Sequence, residues 1–477
     1  MHTLLERLLA YEQSDYYGFH MPGHKRNTSM LGALLPYGID ITEIEGFDDL
    51  NHPTGILKEA CKRATKLYDC EETFFLINGS TAGILSGIRA VVNQGEQILV
   101  ARNCHKSVFN GIDLFELKPV YIYPQPAMLQ PKGVEADFAG EISPRDVECA
   151  LNKHPNIKAM VMVSPTYEGV VSDIPAICRI LHKRKIPLIL DAAHGAHFGF
   201  HPIFPQNGNQ QQGDIVIHSL HKTMPSLTQT GLIHVNGEIV DKQQVEAALS
   251  MLQSSSPSYV LMASIDRCIR MMEGEKGRKM MTEYADRLIN LRHKLEQLKH
   301  LKLLETAHYD KSKLLISTEG TNIASYALYH KLLNQYHLQM EMFSGGYVMG
   351  MTTMCDTNEG FHRLDTALHE IDAGLSSTRR DSKKETWSKI VKPLLGEQER
   401  VYESYEIRGK KTVNVLSKEA LGRVCATTLY AYPPGIPLII PGERVSLALI
   451  NVIQWYQDEG ISIEGIHGGC MKVLSGE

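Results

Sequence analysis

From about residue 73 onward, short apolar runs alternate with stretches whose apolar residues recur at helical spacing. The runs 73–77, 97–101, 119–123, 157–163, 187–190, 215–218 and 232–235 predict strands, and 81–92 and 144–154 are among the helices between them. Ser143 and Asp146 stand at capping-box spacing. Short apolar strands alternating with helices predict a parallel sheet covered on both faces. Before this region, Leu4, Leu5, Leu8 and Leu9 share one face of a short helix, which leads into an irregular arm, HMPGHKRN. After it come helical stretches at 243–253 and roughly 259–298, a strand beginning KLLIS at Lys313, and a helix over about 362–373. The polar run SSTRRDSKKE, 376–385, reads as a boundary. The segment AYPPGIPLIIPGE, 431–443, carries prolines that exclude regular helix or central strand. The expected division is an N-terminal helix and arm at 1–30, a large domain at 31–298, a small α/β domain at 299–375 and a C-terminal domain at 376–477.

Composition narrows the class. Of 477 residues, 43% are hydrophobic and 22% charged, a globular balance that excludes wholesale disorder. The net charge of −5 is no footprint for a nucleic-acid binder. Apolar runs such as 159–163 reach only about five residues, and a membrane span needs about twenty. Glu6, Arg7 and Glu12 interrupt any secretory leader. The nine cysteines are scattered, odd in number and without a CxxC pair, which predicts reduced thiols in a cytoplasmic protein. Cys104 reads as a small packed residue.

Three segments follow strands, and in a parallel α/β sheet ligands sit at the carboxyl ends of strands. Asn78-Gly79-Ser80-Thr81-Ala82-Gly83 precedes a helix. Its hydroxyls and amides suit an anion, although an ordinary helix cap would look the same. Asp191-Ala192-Ala193-His194-Gly195-Ala196-His197 places a carboxylate at a strand end, suited to a protonated ring nitrogen or, with the two histidines, a metal. No thiolate or carboxylate cluster supports the metal. Ser219-Leu220-His221-Lys222-Thr223 offers a lysine flanked by hydroxyl and imidazole donors, a Schiff-base arrangement. A lone lysine is usually solvated. The order of phosphate loop, strand-end Asp and then Lys 31 residues later points to pyridoxal phosphate.

The chain resembles the pyridoxal-phosphate-dependent ornithine/lysine/arginine decarboxylases of aspartate-aminotransferase-type fold, in their short bacterial form. The resemblance spans nearly the whole chain. It rests on FHMPGHKR (19–26), DDLNHPTGILKEA (48–60), TFFLINGSTAG (73–83), RNCHKSV (102–108), SPTYEGVVSD (164–173), DAAHGAHFGFHP (191–202), SLHKTMPSLTQT (219–230), SSSPSY (254–259) and YPPGIPLIIPGE (432–443). Ala192 departs from the Glu usual in the family. The expected fold is therefore α/β, of pyridoxal-phosphate fold type I, with a mostly parallel large domain and smaller C-terminal α/β domains.

The resemblance implies roles for individual residues. Lys222 would bond the cofactor, Ser80, Thr81, Ser219 and His221 would hold its phosphate, and Asp191 would keep the pyridine nitrogen protonated. His105 would stack on the ring and, with Lys222, is a candidate proton donor. By its position alone, His105 reads as a packed helix-start histidine. His194 would orient Asp191, and Thr166 would meet the ring hydroxyl. Glu443 is the candidate for the substrate's distal cation, with a rim salt bridge as the competing explanation. The implied reaction is decarboxylation of a small basic amino acid to a polyamine-type amine. The serines Ser254 to Ser256 would reach a neighbour's phosphate, giving a homodimer with shared sites. The long relatives' wing domain has no counterpart before HMPGHKR, so a dimer rather than a decamer is expected. Two rivals remain at this stage: an aminotransferase or desulfurase using the same Lys and Asp, and a non-catalytic cofactor-binding regulator.

Overall fold

The structure is a computed structural model and describes residues 3–14, 16, 21–22, 24–32, 34–131, 134–377, 398–431, 435–458 and 460–476. Much of the boundary expected at 376–385, and parts of the HMPGHKR and YPPG motifs, lie outside the described residues.

The apolar runs assemble into one seven-stranded sheet. Its order is Glu72–Leu76, Gly231–Val235, Ile215–Ser219, Leu188–Asp191, Ile157–Val163, Gln97–Ala101 and Lys118–Ile122. Leu99, Val161, Ile189 and Ile217 in its central strands are fully buried. Burial of each such side chain contributes about 1.5–3 kcal/mol, so the strand ends are rigid anchors. The sheet is not wholly parallel. Gly231–Val235 runs antiparallel to both neighbours, with Ser219 paired to Gly231 and Leu76 to Gly231 at its start. A parallel return needs a crossover of a dozen or more residues, usually with a helix to span the sheet. The link from 219 to 231 holds only the short helix Leu220–Thr223, so the chain doubles back.

Helix Gly79–Val91 presses on the sheet through its glycines. A Cβ on Gly83 would stand 2.6 Å from Leu76 Cδ1 and 3.1 Å from Ile217 Cγ2. The helix Pro144–Lys153 forms as predicted, but Ser143 makes no side-chain cap. Asp146 instead accepts from Gln125 Nε2 at 2.6 Å. The long helix expected at 259–298 is two, Tyr259–Met272 and Gly274–Leu295. Gly274 has φ +69°, a left-handed turn that a continuous helix cannot contain.

A four-stranded antiparallel sheet follows, ordered Lys302–Leu304, Lys313–Ser317, Tyr347–Met351 and Met342–Ser344, with helices Ser325–Tyr336 and Asn358–Ala373. Nearer the C-terminus, Thr412–Leu416 pairs with Cys470–Leu474. Leu429–Ala431 pairs with Ile436–Ile439 and Ile463–Glu464, and Pro437 lies on an edge strand. Among the described residues no helix is long and apolar enough to cross a membrane.

Candidate active site

The strands Ile157–Val163, Leu188–Asp191 and Ile215–Ser219 run side by side, and the residues at and beyond their carboxyl ends line one cavity of about 580 Å³. Val163, Thr166, Tyr167, Glu168, Asp191, Ala193, His194, His221 and Lys222 come from these ends; Ser80, Arg102, Asn103 and His105 join them from the neighbouring turns.

Asp191 is the last residue of its strand and 3% exposed. Burial pushes its carboxyl up, against the pull of Lys222 and of the Ala193 N–H, which donates to Oδ1 at 3.1 Å. Lys222 sits in the helix Leu220–Thr223. Burial pushes its ammonium down, and Asp191 and Glu341 oppose that push. His105 caps the helix Lys106–Leu114 and accepts from the Ser107 N–H at Nδ1, 3.3 Å. The proton of its neutral ring is therefore on Nε2. Burial, with Lys222 and Lys106 nearby, lowers its pKa to about 4, so the ring is neutral near pH 7.

The neighbouring end of the cavity is suited to an anion. Gly79 opens its helix at φ +71°, and the preceding Asn78 makes no side-chain cap. His221 donates from Nδ1 to the Thr230 carbonyl at 3.0 Å, and burial lowers its pKa. A bound dianion would reverse that shift by favouring the imidazolium. The Ser219 hydroxyl is fully buried and has no hydrogen-bond partner among the described residues.

The facing wall comes from the smaller units. It includes Glu341, Phe343, Tyr347, Leu438 and Tyr456. The Tyr167 hydroxyl donates to Glu341, and the Tyr347 hydroxyl to Glu168 Oε1 at 3.4 Å.

Of the residues singled out in the sequence, Ser80, His105, Thr166, Asp191, His194, His221 and Lys222 line this cavity. Thr166 Oγ1 accepts from the Val170 N–H at 3.1 Å, and its hydroxyl in turn bonds the Glu168 carboxylate. Ser219 is buried and does not line the cavity; Thr81 is exposed and does not line it either. Ser254 to Ser256 are exposed, and the Ser254 N–H donates to Asn78 Oδ1 at 3.2 Å, against the phosphate loop of its own chain.

Two expectations are corrected. Glu443 does not face the cavity: it is 1% exposed, pairs with Arg102 Nη2 at 3.1 Å and accepts from the Ile440 N–H at 3.0 Å. Both contacts fall on Oε2, and the buried carboxylate is not part of the cavity lining a substrate would meet. His194 does not bond Asp191: its ring bridges Lys222 Nζ, 3.1 Å from Nε2, and Lys313 Nζ, 2.9 Å from Nδ1. His197 turns away to Asp310 at 3.0 Å, so the two histidines serve different partners. Cys104 and Ala192 are packed in the core. Lys313, Tyr167, Glu168 and Glu341 were not picked out in the sequence. Tyr167 and Glu168 stand in SPTYEG directly after a strand, a position that could have signalled them.

The donor set fits pyridoxal 5′-phosphate: an uncapped helix start and an orphaned serine hydroxyl for the phosphate, a buried carboxylate for the ring nitrogen, and a lysine whose charge is disfavoured. The sheet and this strand-end arrangement define a pyridoxal-phosphate enzyme of fold type I. Residues 3–336 match the family described as Orn/Lys/Arg decarboxylase, major domain, and residues 383–460 match its C-terminal domain. The chain belongs to the Orn/Lys/Arg decarboxylase family and is a decarboxylase. It is 32% identical over 460 residues to the uncharacterized protein YaaO of Bacillus subtilis strain 168, covering 93% of this chain and 92% of that one. It is 30% identical over 472 residues to the arginine decarboxylase of the same strain, covering 96% and 94%. The constitutive lysine decarboxylase of E. coli shares the fold, with a TM-score of 0.80 at 20% identity, covering 99% of this chain and 82% of that one.

Proposed function

We propose that the protein removes the α-carboxylate of a basic amino acid as CO₂ at Lys222, and that arginine is preferred over lysine and ornithine. The observation that carries the reading is one cavity joining Lys222 and Asp191, at strand ends, to the carboxylate of Glu341 on the facing wall. The preference for arginine is supported by full-length relatives named arginine decarboxylase at 28–30% identity, against 24–26% for those named lysine decarboxylase.

Pyridoxal 5′-phosphate, when bound, supplies the electron sink for the bond broken at Cα. Lys222 is the residue that bonds it. Asp191 holds a proton on the pyridine nitrogen, because a carboxylate beside that nitrogen stabilises its charged form. Ser80, Ser219 and His221 are assigned to the phosphate, and Thr166 to the ring hydroxyl. His105, neutral near pH 7, presents an uncharged ring beside Lys222. Glu341, oriented by Tyr167, takes the substrate's distal cation and thereby selects a basic amino acid. The apolar side chains Phe343, Leu438 and Tyr456 keep water from the departing carboxylate. Lys222 Nζ is assigned the return of a proton to Cα.

The protein is also proposed to act as a cytoplasmic homodimer, with its division at residues 30, 298 and 375 as expected from the sequence. Leu34 is 96% exposed and Met30 80%, with Leu31 and Leu35 beside them, an apolar arm that a second copy would cover. Light scattering is expected to give about twice the 53.4 kDa chain mass; an active monomer would overturn the shared site. The activity test is to supply purified protein and cofactor with arginine, lysine and ornithine separately. CO₂ and agmatine from arginine are expected at the highest kcat/KM. Keto-acid formation without CO₂ would overturn the reading.

A further inference from the structure

Lys313 opens its strand 0% exposed, where a lysine is rarely found without a partner. Its Nζ lies 2.9 Å from His194 Nδ1, and the other nitrogen of that ring lies 3.1 Å from Lys222 Nζ. One buried imidazole thus bridges two lysines. An ammonium has three donors and no acceptor, and a neutral imidazole has one of each. Burial and the two lysines push the His194 pKa well below its usual value, so the ring between them stays neutral. One ring nitrogen therefore accepts from one lysine. The N–H on the other is accepted by the second lysine, which only a neutral amine can do. The row of three groups holds one excess proton.

Asp310 is the charge that favours that proton on Lys313. Asp310 lies in the same turn, with the Lys313 N–H donating to its carbonyl at 3.1 Å. Its Oδ1 accepts from His197 at 3.0 Å and from the Ser312 N–H at 3.0 Å, and its Oδ2 is buried without a hydrogen-bond partner. Against the upward push of burial, His197 and Lys313 hold Asp310 below the usual carboxylate range. Glu168 and Glu341 also favour the Lys313 charge, whereas burial and Lys222 lower its pKa to about 8. The Tyr167 ring faces its Nζ, with the centroid at 5.8 Å, and Arg292 spends its Nη1 on the Lys313 carbonyl at 3.1 Å. On the reading above, Asp191, which favours the Lys222 charge, is taken by the cofactor's ring nitrogen.

We propose that Lys313 is a positioning residue: through the Nε2–H of His194 it holds Lys222 as the neutral amine that bonds the cofactor's aldehyde. The inference rests on the assignment of Lys222 as the cofactor lysine. In that step the Lys222 lone pair attacks the aldehyde carbon, a carbon–nitrogen double bond forms, and the aldehyde oxygen leaves as water with both amine hydrogens.

The test uses the full chain, stripped of cofactor with hydroxylamine and re-supplied with pyridoxal 5′-phosphate. Capture is timed by absorbance from pH 6 to 10, and the modified lysine is identified by borohydride fixation and peptide mass. Wild type is expected to capture rapidly to near neutrality. K313M is expected to move the midpoint up by at least about one pH unit, equivalent to tenfold slower capture at pH 7, and to recover by pH 10. K313Q, which keeps a donor but no charge, follows K313M. Superimposable profiles, with cofactor on Lys222 in both proteins, overturn the inference. Cofactor fixed on another lysine in wild type overturns the assignment of Lys222 instead. If the variants do not fold, neutron diffraction from cofactor-free wild-type crystals decides. Three hydrogens on Lys313 Nζ, one on His194 Nε2 and two on Lys222 Nζ are expected; the reverse arrangement overturns the proposal.

Discussion

The two walls of the cavity are held in different ways. On the sheet side, main-chain groups fix the polar side chains: Ser107 N–H holds His105, the Thr230 carbonyl holds His221, and Ala193 N–H holds Asp191. These partners belong to rigid strand ends and helix starts, so the geometry exists before any ligand arrives. On the facing side, amid apolar residues from separate units, Glu341 and Tyr347 are held only by side chains that reach across from the strand ends, Tyr167 and Glu168. Such a wall can be resized without disturbing the sheet. The difference separates the chemistry, which belongs to the sheet wall, from the choice of amino acid, which belongs to the facing wall.

Substitutions can break that separation. Asp191→Asn is expected to retain cofactor and to lower kcat by roughly two orders of magnitude or more, the scale of a lost proton-holding group. Near-normal kcat would remove the sheet wall's claim to the chemistry. Glu341→Gln is expected to raise KM by roughly tenfold or more, since a hydrogen bond to a charged group contributes about 1.5–3 kcal/mol. Its kcat should change far less, and steady-state kinetics will show whether the loss falls on KM. Glu443→Gln leaves the buried Arg102 guanidinium unpaired. Breaking such a pair costs about 3–5 kcal/mol, read as a fall in denaturation midpoint, with the amino-acid preference unchanged. A changed preference would return Glu443 to the substrate site. The smallest effect concerns His105. Its pKa of about 4 means that the ring gains its proton only well below neutrality. The kcat/KM profile should therefore show no limb from His105 between pH 5 and 8, and histidine NMR should find its ring neutral throughout that range.

The sheet wall was legible because its polar residues directly follow apolar runs: Asp191 after IPLIL, Lys222 shortly after DIVIH, Ser80 after TFFLI. The facing wall was not. Glu341 stands in a small-unit segment with no comparable signal, and its partner Tyr167 is 174 residues away. Glu443 comes to the substrate's distal cation through the resemblance alone, beside the competing salt bridge. Its true partner, Arg102, lies 341 residues earlier. Lys313 reads as the ordinary polar start of KLLIS, and only the fold brings it to a histidine 119 residues before it. The reversed strand Gly231–Val235 carries the same apolar pattern as its parallel neighbours. Its direction is set by the short link after Ser219, not by its own residues.

The central claim is that Lys222, at the end of the sheet wall, bonds the cofactor. Borohydride reduction of the cofactor-loaded protein followed by peptide mapping tests it most directly. The account predicts the reduced cofactor on Lys222 alone, and neither visible absorbance nor fixation in Lys222→Ala. Cofactor fixed on Lys313 or any other lysine of the wild-type chain would contradict it.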